Sequence, residues 1–314
     1  MGVGAGLFNT AQTTSSHPQP SMELNNAIVT GPARPAATVI MLRDGDGGSG
    51  LEVFLLKRHG LSDVLGGAFV FPGGKLDAAD ARLDMATHLD QPMSDLHTAL
   101  NEPEIDVLTA ASLYVAAVRE VFEESGILFA HGATQAHAAS ASALLRDGLA
   151  FDQVLTHMQL RLQTRSLAPW SRWITPVIPS VMNKRFDTRF FVAAVPAGQV
   201  AAHDNHEATE SAWLKPRTAL EQHRDGLIEL APPQIMTLAH LSRFGTVQQA
   251  MADARGRTPP IIQPEPFEID GGRVICYPGD ERHSVKARVM PGPTRLRYRG
   301  KLFEPFEGFE SLFG

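Results

Sequence analysis

The chain has 314 residues but only one cysteine, no long apolar run and no strong excess of either charge. The single cysteine, Cys276, excludes an intramolecular disulfide and fits a reducing compartment. Because no eighteen consecutive residues are apolar, neither a membrane span nor a membrane partner is expected. A net charge of −6 argues against a general nucleic-acid surface, so nucleic acid is not an expected partner.

The first segment of the chain also lacks the features of a targeting leader. The first basic residue is Arg34 and no apolar core precedes it, so neither a secretory nor a mitochondrial leader is expected, and a cytoplasmic location is predicted. Residues 1–33 are polar, rich in Gly, Ser and Pro, and without apolar periodicity, which predicts a disordered leader. For the whole chain, 43% hydrophobic and 20% charged residues are typical of a globular protein.

Three carboxylates in the middle of the chain are its most informative feature. Glu120, Glu123 and Glu124 occupy positions i, i+3 and i+4 of a predicted helix, so their side chains are expected to converge on one patch. Like charges at this spacing repel, and the last helical turn favours cations instead. We therefore predict a bound Mg²⁺ ion, with Mn²⁺ as the alternative, held by carboxylate oxygens. A solvated acidic helix face is the other interpretation.

The rest of the same helix predicts how these acids are presented. Its opposite side carries an apolar stripe of Val115, Val118, Val121 and Phe122, which is expected to pack on a core. Gly126 fits the position after a helix that favours a left-handed backbone. The acids should therefore face a groove.

Residues 119–126 read Arg-Glu-Val-Phe-Glu-Glu-Ser-Gly, which resembles the second half of the Nudix box. Nudix enzymes hydrolyse a nucleoside diphosphate linked to another group. The first half of that box resembles the stretch that contains Gly74 and, in place of the family's glutamate, Asp80. In the usual box this acid lies close to the arginine, whereas here residues 81–118 intervene. Such an insertion is tolerable, because loop closure costs only about 0.6 kcal/mol more for each doubling of length.

The resemblance implies an α+β Nudix fold, an α/β/α sandwich around a mixed β-sheet, over residues 34–245. It leaves a helical insertion at residues 81–112 and an irregular, β-leaning C-terminal extension, residues 246–314, packed on that domain. The insertion carries six acids against one arginine, so we expect one or two short helices whose acids face solvent. Acids that faced a phosphate site would repel the substrate. A lid or specificity role is the alternative for the insertion.

Two further blocks narrow the resemblance to one branch of the family. Residues 173–176 and 185–196 resemble the Nudix coenzyme A diphosphatases whose box is interrupted by a long insertion. Residues 53–58, followed by Phe-Pro-Gly-Gly at 71–74, are similar to the coenzyme A signature of those enzymes, although its threonine and second arginine have no clear counterpart. The resemblance implies hydrolysis of coenzyme A or acyl-coenzyme A to 3′,5′-ADP and 4′-phosphopantetheine or its acyl form. The alternatives are a hydrolase of ADP-ribose or a dinucleotide, and a non-catalytic, ligand-binding regulator of the same fold.

The resemblance also implies roles for single residues. Gly73 and Gly74 would let the loop pass close to the helix, and Arg119 would support the carboxylates by charge-assisted hydrogen bonds. The metal ligands would be the three box acids, Glu120, Glu123 and Glu124.

Glu123 is also expected to be essential for turnover, and Glu207, six residues before Trp213, is the expected general base or a further metal ligand. Glu210 or a box acid is the alternative base. The substrate is expected to be a small-molecule diphosphate, and a homodimer is also predicted. The candidate substrate-binding cations are Arg58, Arg185 and Arg189, with Lys75 and Lys184 as further candidates.

Overall fold

The computed structural model of the protein describes residues 24–25, 27–59, 65–178, 184–203 and 208–314. Most of the predicted leader, residues 1–23, lies outside the described residues, and so does Glu207. Within the described part of the chain, the structure contains twelve strands and eight α-helices.

The strands are β1 Arg34–Asp44, β2 Leu51–Arg58, β3 Phe69–Val70, β4 Gly73–Lys75, β5 Leu167–Ile174, β6 Phe186–Ala194, β7 Ala208–Leu214, β8 Ile261–Ile262, β9 Glu265–Ile269, β10 Gly272–Cys276, β11 Arg295–Arg299 and β12 Leu302–Pro305. The α-helices are α1 Met85–His88, α2 Met93–Leu100, α3 Val107–Ser125, α4 Gln135–Arg146, α5 Phe151–Met158, α6 Pro216–Arg224, α7 Pro232–Leu241 and α8 Val247–Gly256.

Eight of the strands form one mixed sheet with β1 near its centre. The strand order is β3-β2-β1-β6-β5-β8, with β4 paired to β1 and β7 paired to β2. Strand β1 runs parallel to β6, and β5 runs parallel to β8, whereas the other pairs are antiparallel. The sheet is therefore mixed, as the sequence predicted.

Alternating side chains of β1 reach two separate cores. Val39 and Met41 belong to the core on the side of α3, while Ile40 and Leu42 belong to the core on the side of α6 and α7. Since successive side chains of a strand point to opposite faces, a run of apolar residues is needed where both faces are covered. This arrangement confirms the predicted α/β/α sandwich.

Helix α3 carries the acidic motif at its C-terminal end. The side chain of Asp106 accepts a hydrogen bond from the backbone N–H of Thr109 at 2.7 Å, which caps the helix start. Gly126 ends the helix with a φ of 72°, in the left-handed region that was predicted for it. Residues 107–112, the last part of the predicted insertion, therefore belong to this helix.

The insertion packs against α3 and the sheet. It forms α1 and α2, and five of its apolar side chains are buried in the core beside α3: Leu83, Met85, Leu89, Leu96 and Leu100. The expectation that all of its acids face solvent is wrong for Glu102, which is only 4% exposed. The carboxylate of Glu102 instead accepts hydrogen bonds from the buried guanidinium of Arg189 and pairs with Arg172 at 2.9 Å.

The C-terminal extension forms a second, antiparallel sheet in the order β12-β11-β10-β9. Its side chains Ile275, Tyr277, Leu296 and Phe303 are buried in the core that also contains residues of α6 and α7. His223 of α6 joins the two parts, because its Nε2 lies 2.9 Å from the carbonyl oxygen of Phe303. No helix in the described residues has both the length and the apolar character needed to cross a membrane.

The buried ion pairs of Glu102 give a first testable prediction. Glu102→Ala leaves the Arg189 guanidinium buried without its main carboxylate partner, so we expect the free energy of unfolding to fall by about 3 kcal/mol. Glu104, whose side chain is 54% exposed, pairs with the same Arg172, so Glu104→Ala is the matched control, with an expected loss of at most about 1 kcal/mol. Urea unfolding measures both losses. Equal losses of stability in the two variants would show that the buried Glu102 carboxylate does not hold the insertion to the sheet.

His240 of α7 should make the stability depend on pH. Its ring packs on Trp170, and Arg257, Asp253 and Arg243 are the charged groups around it. Burial, and then Arg257, lowers the pKa of His240 from 6.5 to about 4. The folded pKa is below the unfolded one, so stability present above pH 6.5 is lost as the pH falls towards 4.

Between pH 7 and pH 4.5 we therefore expect His240 to contribute a loss of about 2–3 kcal/mol in the free energy of unfolding. His240→Phe keeps an aromatic ring against Trp170 but cannot titrate. Urea unfolding of both proteins at the two pH values isolates this contribution, because other titrating groups cancel. Parallel losses in the two proteins would show that His240 is not the titrating group.

Candidate active site

The two glycines of β4 lie in close contact with their neighbours. A Cβ atom added to Gly73 would lie 2.5 Å from the carbonyl oxygen of Ala37 and 2.7 Å from the Cα of Thr38, both in β1. A Cβ atom added to Gly74 would lie 2.4–2.5 Å from the carboxylate of Glu120. Glycine is thus needed at position 73 so that the backbone can approach β1, and at position 74 so that the Glu120 carboxylate can lie against the strand.

Arg119 brings the two separated halves of the motif together. Its Nε and Nη2 atoms donate to the two carboxylate oxygens of Asp80 at 2.7 and 3.0 Å, and Nη2 also donates to the carbonyl oxygen of Lys75 at 3.1 Å. Asp80 is 2% exposed, and its second oxygen also accepts the N–H of Asp77 at 2.8 Å. The bidentate pair therefore fixes the loop after β4 against α3.

The same guanidinium supports two of the three predicted metal ligands. Its Nη1 donates to Glu120 at 2.8 Å and to Glu123 at 3.0 Å. Burial alone would lower the pKa of Arg119, but the hydrogen bond to Asp80 and the charges of Glu120 and Glu123 outweigh it and raise that pKa. Arg119 is therefore a fixed positive charge, and it contacts the carboxylates as the sequence predicted.

Glu124 occupies a different place from Glu120 and Glu123. It is 4% exposed, accepts the N–H of Gly73 at 2.9 Å and lies 3.6 Å from Nη1 of Arg58. The repulsion among the three acids is thus offset within the protein by Arg119 and Arg58. No three His, Cys, Asp or Glu side chains in the described ranges are arranged as a ready set of metal ligands.

A cavity of about 460 Å³ opens beside Glu120 and Gly74. The described residues that line it include four cations and one carboxylate, in a chain whose overall net charge is −6. These charged residues are Arg34, Arg58, Lys75 and Lys184 on the positive side and Glu120 on the negative side. The remaining walls are mostly apolar and come from both sheets and from the start of α7, including Trp173, Phe186, Phe190, Pro232, Pro233, Pro264 and Ile275. Such a site suits an anion that carries an apolar or uncharged part.

The structure places the three predicted substrate-binding arginines in three different environments. Arg58 lines the cavity. Arg185 instead donates to the carbonyl oxygens of Thr175 at 3.0 Å and Gly31 at 3.1 Å, so it fastens the backbone beside the cavity. Arg189 is 3% exposed and points from β6 to Glu102, on the face of the sheet opposite the cavity. The substrate-binding prediction for Arg189 is therefore wrong, because a buried paired arginine cannot reach a ligand.

Other cavity residues were missed at the level of the sequence. Arg34 reaches the site because β1 pairs with β6 in parallel, which sets Arg34 opposite Phe186. Pro264 and Ile275 come from the C-terminal extension, whose packing over the cavity no local pattern revealed.

Among the alternatives for the base, Glu210 lies on β7 beside Lys57 at 3.5 Å and is 57% exposed, whereas Glu207 lies outside the described residues.

The chain resembles proteins of known family over most of its length. The family model described as the NUDT19 Nudix domain matches residues 33–241. An acyl-coenzyme A diphosphatase NUDT19 from Xenopus laevis is 29% identical over 276 residues, which cover 74% of this chain and 71% of the relative. A putative nudix hydrolase 7 from Caenorhabditis elegans is 25% identical and covers 91% of this chain and 90% of the relative.

A solved structure supports the fold independently. The crystal structure of a NUDIX hydrolase from Alicyclobacillus acidocaldarius superposes with a TM-score of 0.55 at 23% identity. The match covers 74% of this chain and 99% of that protein. The α+β sandwich is therefore a fold that a known hydrolase shares.

The two glycines of β4 should respond differently to the same substitution. Gly73→Ala drives a methyl group into the β1 backbone, so we expect the free energy of unfolding to fall by about 1–3 kcal/mol. In Gly74→Ala the atoms nearest to the new methyl group belong to the end of the Glu120 side chain, which can rotate aside, so the protein should stay folded, with a loss below about 1 kcal/mol, while the carboxylate is displaced. Urea unfolding separates the two variants. A Gly74→Ala protein as unstable as Gly73→Ala would show that the Glu120 carboxylate cannot move aside.

Proposed function

The chain belongs to the NUDT19 Nudix-domain family and is a Nudix hydrolase, and we propose that it cleaves the diphosphate of coenzyme A or an acyl-coenzyme A in a Mg²⁺-dependent reaction. The products would be 3′,5′-ADP and 4′-phosphopantetheine, or the acyl form of the latter. The relatives named acyl-coenzyme A diphosphatase support this substrate class.

One observation carries the proposal: a single cavity combines one acid of the motif, a cationic lining and apolar walls. Glu120 lies in it together with Arg34, Arg58, Lys75 and Lys184. Coenzyme A matches this combination, because it has a diphosphate, a further phosphate on the ribose, and a long uncharged arm. Four cations against one acid attract such a polyanion even though the protein as a whole is negative.

The residues of the site can be given roles from their positions. Arg58, Lys75, Arg34 and Lys184 would bind phosphate oxygens, since their side chains line the cavity. Arg119 is a positioning residue, because its donors are directed at Asp80, Glu120 and Glu123. Glu124 holds the β4 backbone through the N–H of Gly73.

The carboxylate oxygens of the motif are the ligand type that a hard divalent cation prefers, with Mg²⁺ as the proposed ion and Mn²⁺ as the alternative. Glu120 lines the cavity, the absent Cβ of Gly74 leaves room for its carboxylate, and Glu123 accepts a hydrogen bond from the same Nη1 atom of Arg119 as Glu120 does. A cation bound there would offset the charge on the phosphate oxygens and favour ionisation of a bound water. Glu207 remains our proposed general base, with Glu210 and the box acids as alternatives. A cytoplasmic location and a homodimer also remain predictions.

We expect Glu123→Gln to keep the fold and to reduce turnover by orders of magnitude, because an amide removes the negative charge needed to bind the cation. Glu221→Gln, at a partly exposed acid of α6 that does not line the cavity, is the control and should be without effect. Turnover should also stop with a chelator and return when Mg²⁺ is added. Near-normal turnover of Glu123→Gln at saturating Mg²⁺ would remove that residue from the mechanism.

The substrate is decided by a panel of diphosphates with products identified by mass spectrometry. Coenzyme A and acyl-coenzyme A should give 3′,5′-ADP, and ADP-ribose and a dinucleotide should be poorer substrates. Preference for ADP-ribose or the dinucleotide would replace the proposed substrate by the alternative Nudix activity.

The same assay applied to Glu207→Gln and Glu210→Gln identifies the general base as the residue whose substitution causes the greater loss of turnover.

A further inference from the structure

The far wall of the cavity is built by a part of the chain beyond the matched family domain. The family match ends at residue 241, whereas Pro264 and Ile275 of the C-terminal extension line the cavity. Ile275 lies on β10 and is only 3% exposed. Part of the cavity wall therefore comes from outside the domain that matches the family model.

The extension lies at the end of the cavity away from the acidic motif. Lys75, Ala36, Thr188 and Trp173 are register partners on four successive strands, β4, β1, β6 and β5. Three spacings of about 4.8 Å separate Lys75 from Trp173, so the cavity floor extends about 14 Å from the motif. At that far end the ring of Trp173 packs edge-to-face on Tyr277 of the extension, with centroids 5.9 Å apart.

A buried carboxamide also lines the cavity. Gln234, in the first turn of α7, lines the cavity and is 6% exposed. Its Oε1 atom is buried and accepts no hydrogen bond from any described residue. A buried acceptor without a donor is unfavourable, and the terminal carboxamide can rotate, so a ligand in the cavity that brings an N–H or O–H group to this oxygen would be stabilised.

We propose that Gln234, Pro264 and Ile275 form the subsite for the uncharged arm of the substrate, with Gln234 accepting a hydrogen bond from an amide N–H or the hydroxyl of that arm. The inference rests on the proposed function, because it is the phosphopantetheine arm of coenzyme A that offers two amides and a hydroxyl on a largely apolar chain. The phosphate-bearing nucleotide half would remain with Arg58 and Lys75, the two cations beside the motif. The extension, through Pro264 and Ile275, and α7 of the common domain, through Gln234, then together determine which arm is accepted.

The two product halves test this division directly in the full-length protein. Calorimetry would measure the binding of 4′-phosphopantetheine and of 3′,5′-ADP to wild type and to Gln234→Leu. We expect Gln234→Leu to raise the Kd of 4′-phosphopantetheine about tenfold, which is the effect of one lost hydrogen bond. The Kd of 3′,5′-ADP should stay within about twofold of the wild-type value. Thermal stability should be unchanged or higher, since the substitution removes an unpaired buried acceptor.

Ile275→Ala is the second variant, and Val274→Ala is its matched control. Val274 is equally buried on the same strand but does not line the cavity. Ile275→Ala should change the ratio of kcat/KM for a medium-chain acyl-coenzyme A to that for coenzyme A, whereas Val274→Ala should leave this ratio unchanged.

The outcomes separate this inference from the proposed function. Suppose that the wild type hydrolyses coenzyme A, but Gln234→Leu leaves the affinity for 4′-phosphopantetheine unchanged or lowers the affinity for both product halves equally. The proposed subsite is then wrong, while the proposed function stands. An unchanged kcat/KM ratio in Ile275→Ala would remove Ile275 from the subsite. If the wild type hydrolyses neither coenzyme A nor acyl-coenzyme A, both proposals are overturned.

Discussion

The hydrogen bonds of Arg119 are the interaction on which the site depends. One guanidinium joins Asp80, from the first half of the motif, to Glu120 and Glu123, from the second half. Because Asp80 is buried, its charge needs this partner, and because Arg119 has five donors in one plane, it can serve all three acids at once. The motif is therefore assembled in space although a long insertion divides it in the chain.

The insertion and the extension are attached to the common sandwich in different ways. The insertion adds apolar side chains to the core beside α3 and is fastened to the sheet by Glu102, Arg172 and Arg189. Two of its acids, Glu102 and Glu104, thus have guanidinium partners on the face away from the cavity. The extension adds to the opposite core and lines the cavity through Pro264 and Ile275. Of the two additions, the extension is the one that contacts the ligand-binding space.

Electrostatics within the site differ from the balance of the whole chain. The protein is negative overall, yet its cavity has a cationic lining with one described carboxylate, Glu120. Glu124 is close in sequence to Glu120 but is neutralised separately by Arg58 and a backbone N–H. The local arrangement can therefore attract a polyanion while it still offers carboxylate oxygens to a cation. The net negative charge alone would have suggested that the protein repels a polyanion.

The sequence by itself determined the local features of this protein, because they depend on spacings within one element. The apolar stripe and acids of α3, the helix end at Gly126 and the two-sided apolar run of β1 all follow from helical and strand periodicity. Tertiary structure alone decided which charges meet. Arg189 and Arg58 look equivalent in the sequence, yet strand register and burial direct one to Glu102 and the other to the cavity. Pro264, Ile275 and Gln234 come together only through long-range packing, which no local pattern encodes.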